Sequence, residues 1–191
     1  RMRLVFTTHN KNKFKEIQSL LPHHIELLSL DDIGCTEDIE ETGSTIDENA
    51  IIKAKYVKRN YDYDCFADDT GLEVDELGGE PGMYSARYAG EEKSSDANMN
   101  KLLKKLDGKA NRRARFKTVI ALTIQGRETL FTGICEGKIT KEKRGNEGFG
   151  YDPIFQPDSY EQTFAEMSLS EKSTISHRAR AFTQLTDYLS E

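Results

Sequence analysis

Two adjacent carboxylates, Asp68 and Asp69, follow the apolar run Cys65-Phe66-Ala67 and are themselves followed by Thr70 and Gly71. Carboxylates delivered by the end of a buried strand suit Mg²⁺, which takes hard oxygen ligands and keeps several waters beside one or two carboxylates and substrate phosphates. Neighbouring strand residues point to opposite faces, so one of the two faces the chemistry unless the backbone bends, and Gly71 permits a bend. An ordinary Asp-Asp-Thr-Gly turn is the competing reading. A second signal is Thr8-His9-Asn10-Lys11-Asn12-Lys13, with Lys15 just beyond. It opens a helix at the end where the macrodipole favours anions, and each misplaced cation there costs about 0.3–1 kcal/mol. An anion among these lysines would reverse that cost. Thr8 and Asn10 can cap the helix, and its free N–H groups with Lys13 can cradle a phosphate; solvated lysines on a plain capped helix are the alternative. The G-x-x-x-x-G-K-[ST] pattern is absent, so this is no Walker loop.

Further candidates lie downstream. Glu40 and Glu41 precede Thr45-Ile46-Asp47-Glu48, which has the form of a capping box and predicts a helix over 46–59 that carries Lys53. Either the acidic pair favours the positive end of that helix or one carboxylate completes the metal site begun by Asp69. Arg87 follows Gly78, Gly79, Pro81 and Gly82 and is a candidate phosphate fork. In the loop Gly145–Pro153, Phe149 and Tyr151 stand among three glycines. Aromatic rings held in such backbone suit stacking on a base, worth about 1–3 kcal/mol each; the alternative is a loop tucked by its own aromatics. Lys172 and Ser176-His177-Arg178 crowd basic groups at a helix start and repeat the anion-site logic of the N-terminus.

The elements that must position these groups are legible from periodicity. Leu4-Val5-Phe6 and Ile25–Leu30 read as strands, and Phe14, Ile17, Leu20 and Leu21 as a helix between them. Ala50, Ile51, Ala54 and Val57 form the core stripe of the second helix. Leu72, Val74 and Leu77 suggest a strand entering a tight turn at Gly78-Gly79. Ser95–Leu106 is helical, with Gly108 as its stop. Arg112-Arg113-Ala114-Arg115 reads as a solvated strand end. Residues 114–124 and 128–139 form a hairpin about Gln125-Gly126, and Phe182, Leu185 and Leu189 are the core stripe of a last helix.

The 191 residues suffice for one domain with a real core, or for two small lobes. Hydrophobic residues at 36% and charged residues at 31% indicate neither disorder nor a membrane span. A net charge of −6 argues against broad nucleic-acid binding but leaves small anionic substrates open. Cys35, Cys65 and Cys135 lack C-x-x-C spacing and read as reduced, partly buried thiols, with no zinc site. No apolar signal segment precedes the first strand, so a cytoplasmic location is expected.

Six ordered motifs together resemble the inosine triphosphate pyrophosphatase family, also called Ham1-like or RdgB-like dITP/XTP pyrophosphatases. They are Thr8-x-Asn10-x-x-Lys13, Glu40-Glu41-Thr42-Gly43, Ala67–Gly71, Gly78-Gly79-x-Pro81-Gly82-x-Tyr84-Ser85-Ala86-Arg87-Tyr88, Gly148–Pro153 and Glu171-Lys172-x-x-x-Ser176-His177-Arg178. The resemblance spans residues 1–191 as one Ham1-like domain. It implies an α/β fold of the Ham1/Maf-like type, a long mixed central sheet with helices and two lobes flanking a nucleotide cleft, usually as a homodimer. The implied activity is Mg²⁺-dependent hydrolysis of inosine, deoxyinosine and xanthosine triphosphates to the monophosphate and pyrophosphate. On the matching positions, Thr8, Asn10, Lys13 and Lys53 would hold the triphosphate. Glu41 and Asp69 would bind Mg²⁺, Asp69 being also the proton acceptor or else acting only through the metal. Thr70 would meet the nucleotide and Arg87 a phosphate. Phe149, Gly150, Tyr151, Asp152, Lys172, His177 and Arg178 would surround base and sugar. His9 departs from the first motif, where the family often has a small residue. A Maf-like pyrophosphatase acting on other nucleotides and a non-catalytic nucleotide-sensing module are the competing readings; a sensor could lose its carboxylates, which this chain retains.

Overall fold

Leu4, Val5 and Phe6 are fully buried in strand β1 (Met2–Phe6), the first of seven strands among residues 2–191, which a computed structural model describes. The others are β2 (Ile25–Leu28), β3 (Cys65–Val74), β4 (Pro81–Gly82), β5 (Arg113–Ile124), β6 (Arg127–Ile139) and β7 (Phe155–Pro157). Their order in the sheet is β2-β1-β3-β5-β6-β7, with β4 paired to β3. The sheet is mixed: β1 runs parallel to both β2 and β3, whereas β3/β4 and β6/β7 are antiparallel. A parallel strand flanked on both edges is buried on both faces, which is why β1 reads as an unbroken apolar run rather than an alternation. The hairpin β5–β6 turns at Gln125-Gly126, both with positive φ (49° and 78°), the two-residue turn whose twist matches paired strands.

Among the described residues there are five α-helices, besides short 3-10 turns: α1 (Lys11–Leu20), α2 (Ile46–Tyr61), α3 (Ser95–Lys105), α4 (Leu169–Ile175) and α5 (His177–Leu189). No helix among the described residues is long and apolar enough to cross a membrane. The α/β class and the mixed sheet agree with the expectation.

The chain divides into two compact units. The first comprises the residues up to Asp69, Thr118–Thr132 and Ala181–Glu191, and the second comprises Thr70–Lys117 and Gly133–Arg180. In the first, Leu4, Phe6, Ile17, Phe66, Ile120, Leu122, Phe182 and Leu185 form the core, with Phe6 stacked on Phe66 at 4.6 Å. In the second, Leu72, Leu102, Phe116, Phe155 and Phe164 pack together, and Phe116 stacks on Phe164 at 5.9 Å.

Three local expectations need correction. The apolar run before Asp68 and the alternation before Gly78 are one strand of ten residues, β3, which continues through Gly71 without a break. Pairing explains it: β1 engages Cys65 and Phe66, while β4 engages Leu72 and Glu73, so the backbone is held extended on either side. The arginine run is not simply solvated. Arg112 donates to the carbonyls of Leu106, Ile139 and Thr140, Arg113 pairs with Asp158, and Arg115 pairs with Asp75 and Glu136. Helix α4 and strand β7 lie outside the elements expected above; the sign of α4 is Ser168-x-x-Glu171, a capping box formed in both directions.

Candidate active site

Asn10 starts α1 by accepting the N–H of Lys13 on its side chain at 3.0 Å, and Thr8 Oγ1 in turn accepts the N–H of Asn10 at 3.1 Å. This capped turn follows directly from β1, and Thr7 N donates to Phe66 O of β3 at 3.0 Å. Because β1 ends at Phe6, opposite Phe66, β3 projects two residues further and carries Asp68 over the turn. Lys13 Nζ meets Asp68 Oδ2 there at 3.0 Å, with side-chain exposures of 19% and 3%. Lys53 Nζ, from the middle of α2, donates to the carbonyl oxygen of the same Asp68 at 2.5 Å and lies 3.5 Å from Glu41 Oε1. Two ammonium groups, the carboxylate and main-chain carbonyl of Asp68 and the Glu41 carboxylate are thus gathered from four chain segments within the first unit. This group sits past the carboxyl end of β1, beside the continuing β3, and α/β sheets commonly hold ligands at such strand ends. No acidic residue stands in the first turn of α1, so the positive end of that helix adds to the field. Asp69 follows on β3, half-buried, and Thr7 Oγ1 is buried without a hydrogen-bond partner.

The second unit gathers a different group. Lys172 Nζ of α4 pairs with Asp152 Oδ2 at 2.6 Å, both well shielded (12% and 5% exposed). The same carboxylate oxygen accepts the N–H of Phe149 at 3.1 Å and so shapes the loop. A Cβ on Gly148 would collide with that oxygen, and φ there is +72°, so only glycine serves. Phe149 is 64% exposed, with Lys172 Nζ 4.8 Å and the Arg178 guanidinium 5.5 Å from its ring centre. An exposed ring with two cations over it is a cation–π arrangement that brings positive charge beside an open aromatic surface. His177 lies flat against Phe116, ring centres 4.6 Å apart at 17°, and its Nδ1 and the Nε of Arg178 are buried without partners. Burial first, then the cations Arg178, Lys172 and Arg180, hold the His177 imidazole well below its ordinary range.

That depression has a stability consequence. Below the ordinary histidine value of 6.5 the unfolded chain takes up a proton that folded His177 refuses, so stability is full above that value and declines as pH falls toward the folded pKa. Thermal melts should therefore fall below about pH 6.5 and be less steep in His177→Gln; an equal slope in both proteins would contradict this.

Tyr151 and Arg87 are placed differently from the rest. The Tyr151 ring is buried and its hydroxyl donates to Ser85 O at 2.7 Å, so it joins the aromatic loop to the Tyr84-Ser85-Ala86-Arg87 segment rather than presenting its hydroxyl outward. Ser85 Oγ accepts Leu72 N and donates to Gly82 O, making it the hub of that segment. Arg87 is exposed at the end of a short 3-10 turn, Gly150 has φ +61°, and Thr70 is half-buried in β3.

A model of the Ham1 family matches residues 4–188, nearly the whole chain. The chain belongs to the Ham1 family. A dITP/XTP pyrophosphatase of Christiangramia forsetii is 66% identical over 190 residues, covering 100% of both chains. One of Flavobacterium johnsoniae is 61% identical over 188 residues, covering 98% of each. Among solved structures, the Ham1 protein of Staphylococcus aureus superposes with a TM-score of 0.94 at 40% identity, covering 98% of each chain. A HAM1 protein from Coxiella burnetii gives 0.95 at 38% identity, covering 100% of this chain and 99% of that one.

Within this Ham1 chain a further residue that fixes a loop of the site carries little sign in the sequence. Asn49, buried in α2, accepts Gly43 N on Oδ1 at 2.8 Å, and a Cβ on Gly43 would lie 2.7 Å from that oxygen. The Thr45-x-x-Glu48 box expected here forms only in part, since Thr45 Oγ1 accepts Glu48 N while Glu48 takes Ser44 N in place of Thr45 N, and Asn49 follows it with no local sign of its role.

Proposed function

We propose that this protein hydrolyses inosine, deoxyinosine and xanthosine triphosphates to the nucleoside monophosphate and pyrophosphate, and so clears deaminated purines from the nucleotide pool. The observation that carries the reading is the Lys13–Asp68–Lys53–Glu41 array at the capped start of α1, a set of ammonium groups prepositioned for a triphosphate. The names of the relatives supply the purine class of the substrate.

Mg²⁺ fits this group by the chemistry of its donors. Glu41, in the loop before α2, and Asp69, on β3, offer two carboxylates with hard oxygen donors. That suits a cation that arrives with substrate phosphates and keeps its waters. When bound it supplies charge neutralisation at the phosphates. Lys13, Lys53 and the free N–H groups of α1 bind and orient the triphosphate, and Asp68 holds Lys13 in place. Asp69 accepts a hydrogen bond from the attacking water. The water oxygen bonds to the α-phosphorus while the bond from that phosphorus to the bridging oxygen breaks; pyrophosphate leaves with the electron pair, and the proton departs through the hydrogen bond to Asp69. Positioning and charge stabilisation do most of this work.

The base is taken by the second group, Phe149 stacking and Arg178 donating. Thr70 and Arg87 remain assigned to nucleotide and phosphate by motif position. The working form in this reading is a homodimer acting on the cytoplasmic pool.

The test is pyrophosphate release from ITP, XTP, ATP, GTP and dTTP, with Mg²⁺ and with EDTA. Fast release from ITP and XTP alone, abolished by EDTA, is the expected result. Equal turnover of every nucleotide would leave a pyrophosphatase without base selection, and tight ITP binding without turnover would make the protein a sensor.

A further inference from the structure

Residues 35–43 carry no helix or strand, yet they are tied down at both ends. At one end the Glu37 carboxylate accepts the hydroxyl of Tyr56 at 2.5 Å and that of Tyr61 at 2.8 Å, both from the last turns of α2. The main-chain carbonyl of Glu37 lies 3.1 Å from His9 Nε2 in the turn after β1. A carbonyl only accepts, so this contact requires the proton on Nε2. The Tyr56 hydroxyl above all, with help from Tyr61, pulls the Glu37 carboxyl down to about 2, and Tyr56 is pushed up to about 12. At the other end Gly43 is closed against Asn49 and Glu48 of α2.

Between the two ties stand Glu40 and Glu41. Glu41 touches Lys53 at 3.5 Å and is 37% exposed, a pair too long and too wet to hold a loop by itself. Charge-assisted hydrogen bonds from two phenols are much the stronger restraint. We propose that Glu37 is a positioning residue: by bridging His9 in the phosphate turn and the Tyr56–Tyr61 pair of α2, it sets the acidic loop so that Glu41 meets Lys53 and the substrate's metal-bearing phosphates. The inference rests on the function proposed above and gives His9, the departure in the first motif, a partner. Glu37 itself touches neither substrate nor reacting atoms.

The experiment compares the whole protein with Glu37→Ala, Glu37→Gln and the double change Tyr56→Phe with Tyr61→Phe. Three readouts are taken: the Mg²⁺ concentration for half-maximal pyrophosphate release from ITP, Mn²⁺ binding in the presence of pyrophosphate by electron paramagnetic resonance, and amide exchange over residues 38–42. In Glu37→Ala and the double variant the half-saturating Mg²⁺ and the Mn²⁺ dissociation constant should each rise about tenfold. Exchange of the loop should quicken, while the preference for ITP over ATP stays as in the unsubstituted protein. Glu37→Gln, which keeps an acceptor oxygen, should recover part of the loss. A merely structural role would lower the melting temperature and leave the metal concentrations unmoved. Unchanged Mn²⁺ binding and loop exchange in both variants overturns the proposal. Absence of ITP hydrolysis in the unsubstituted protein would instead overturn the functional reading, and it is seen separately in the same assay.

Discussion

Asp69→Asn is expected to lower the turnover of ITP by about 10²–10³-fold with the fold intact, whereas Asp68→Asn is expected to act mainly on binding and stability. The two neighbours differ in what they touch. Asp68 is 3% exposed and paired with Lys13 at 3.0 Å, and its carbonyl receives Lys53. Removing one charge of a shielded pair leaves the other uncompensated, at a cost of about 3 kcal/mol at the low end of such losses. For a chain of this size that is roughly 6–12 °C in melting temperature. Lys13 is then no longer aimed, so KM for ITP should rise. Asp69 sits half-buried on the next residue of β3 and holds the attacking water in the proposed mechanism, so its amide should reduce kcat with little change in KM. Steady-state kinetics with thermal melts on both variants decide the matter. A kcat loss confined to Asp68→Asn would reverse the two roles.

The second large effect concerns the base. Arg178→Ala should reduce kcat/KM for ITP about 10–150-fold, the worth of a hydrogen bond from a charged donor, and change that for ATP little. The reason is a mismatch: hypoxanthine and xanthine present an acceptor oxygen at C6 where adenine presents a donor amine, so a buried donor without a partner welcomes the first and opposes the second. The Nε of Arg178 is such a donor, and its guanidinium lies 5.5 Å from the centre of the exposed Phe149 ring. Competition kinetics with ITP and ATP read the ratio directly. An Arg178→Ala enzyme that kept full discrimination would remove Arg178 from base selection and leave it to backbone N–H groups or to His177.

Most of the helices and the hairpin could be read from local chemistry. Thr45 and Asn10 cap where their side chains can reach the N–H three residues on, and Gln125-Gly126 turns because both residues sit at positive φ. The continuity of β3 could not be read, because Asp68-Asp69-Thr70-Gly71 looks like a turn until β1 and β4 pair on either side of it. The arginines of 112–115 looked solvated because their partners, among them Asp75, Glu136 and Asp158, lie up to 45 residues away. Helix α4 is short and mostly polar, so its periodicity is weak and only its capping box marks it.

What the sequence determined by itself is the inventory of chemistry: paired carboxylates after a buried strand, lysines at a helix start, aromatics among glycines, and basic groups ahead of the last helix. Those signals are local, since they depend on residue type and spacing along a few turns of chain. Only the tertiary structure decided which carboxylate takes which lysine, that Tyr151 gives its hydroxyl to Ser85, and that Glu37 gathers His9, Tyr56 and Tyr61. Each of these is a contact between residues 12 to 66 positions apart. Such pairings depend on strand register and on where β1 stops relative to β3, quantities set by the packing of the whole sheet and not by any one stretch of it.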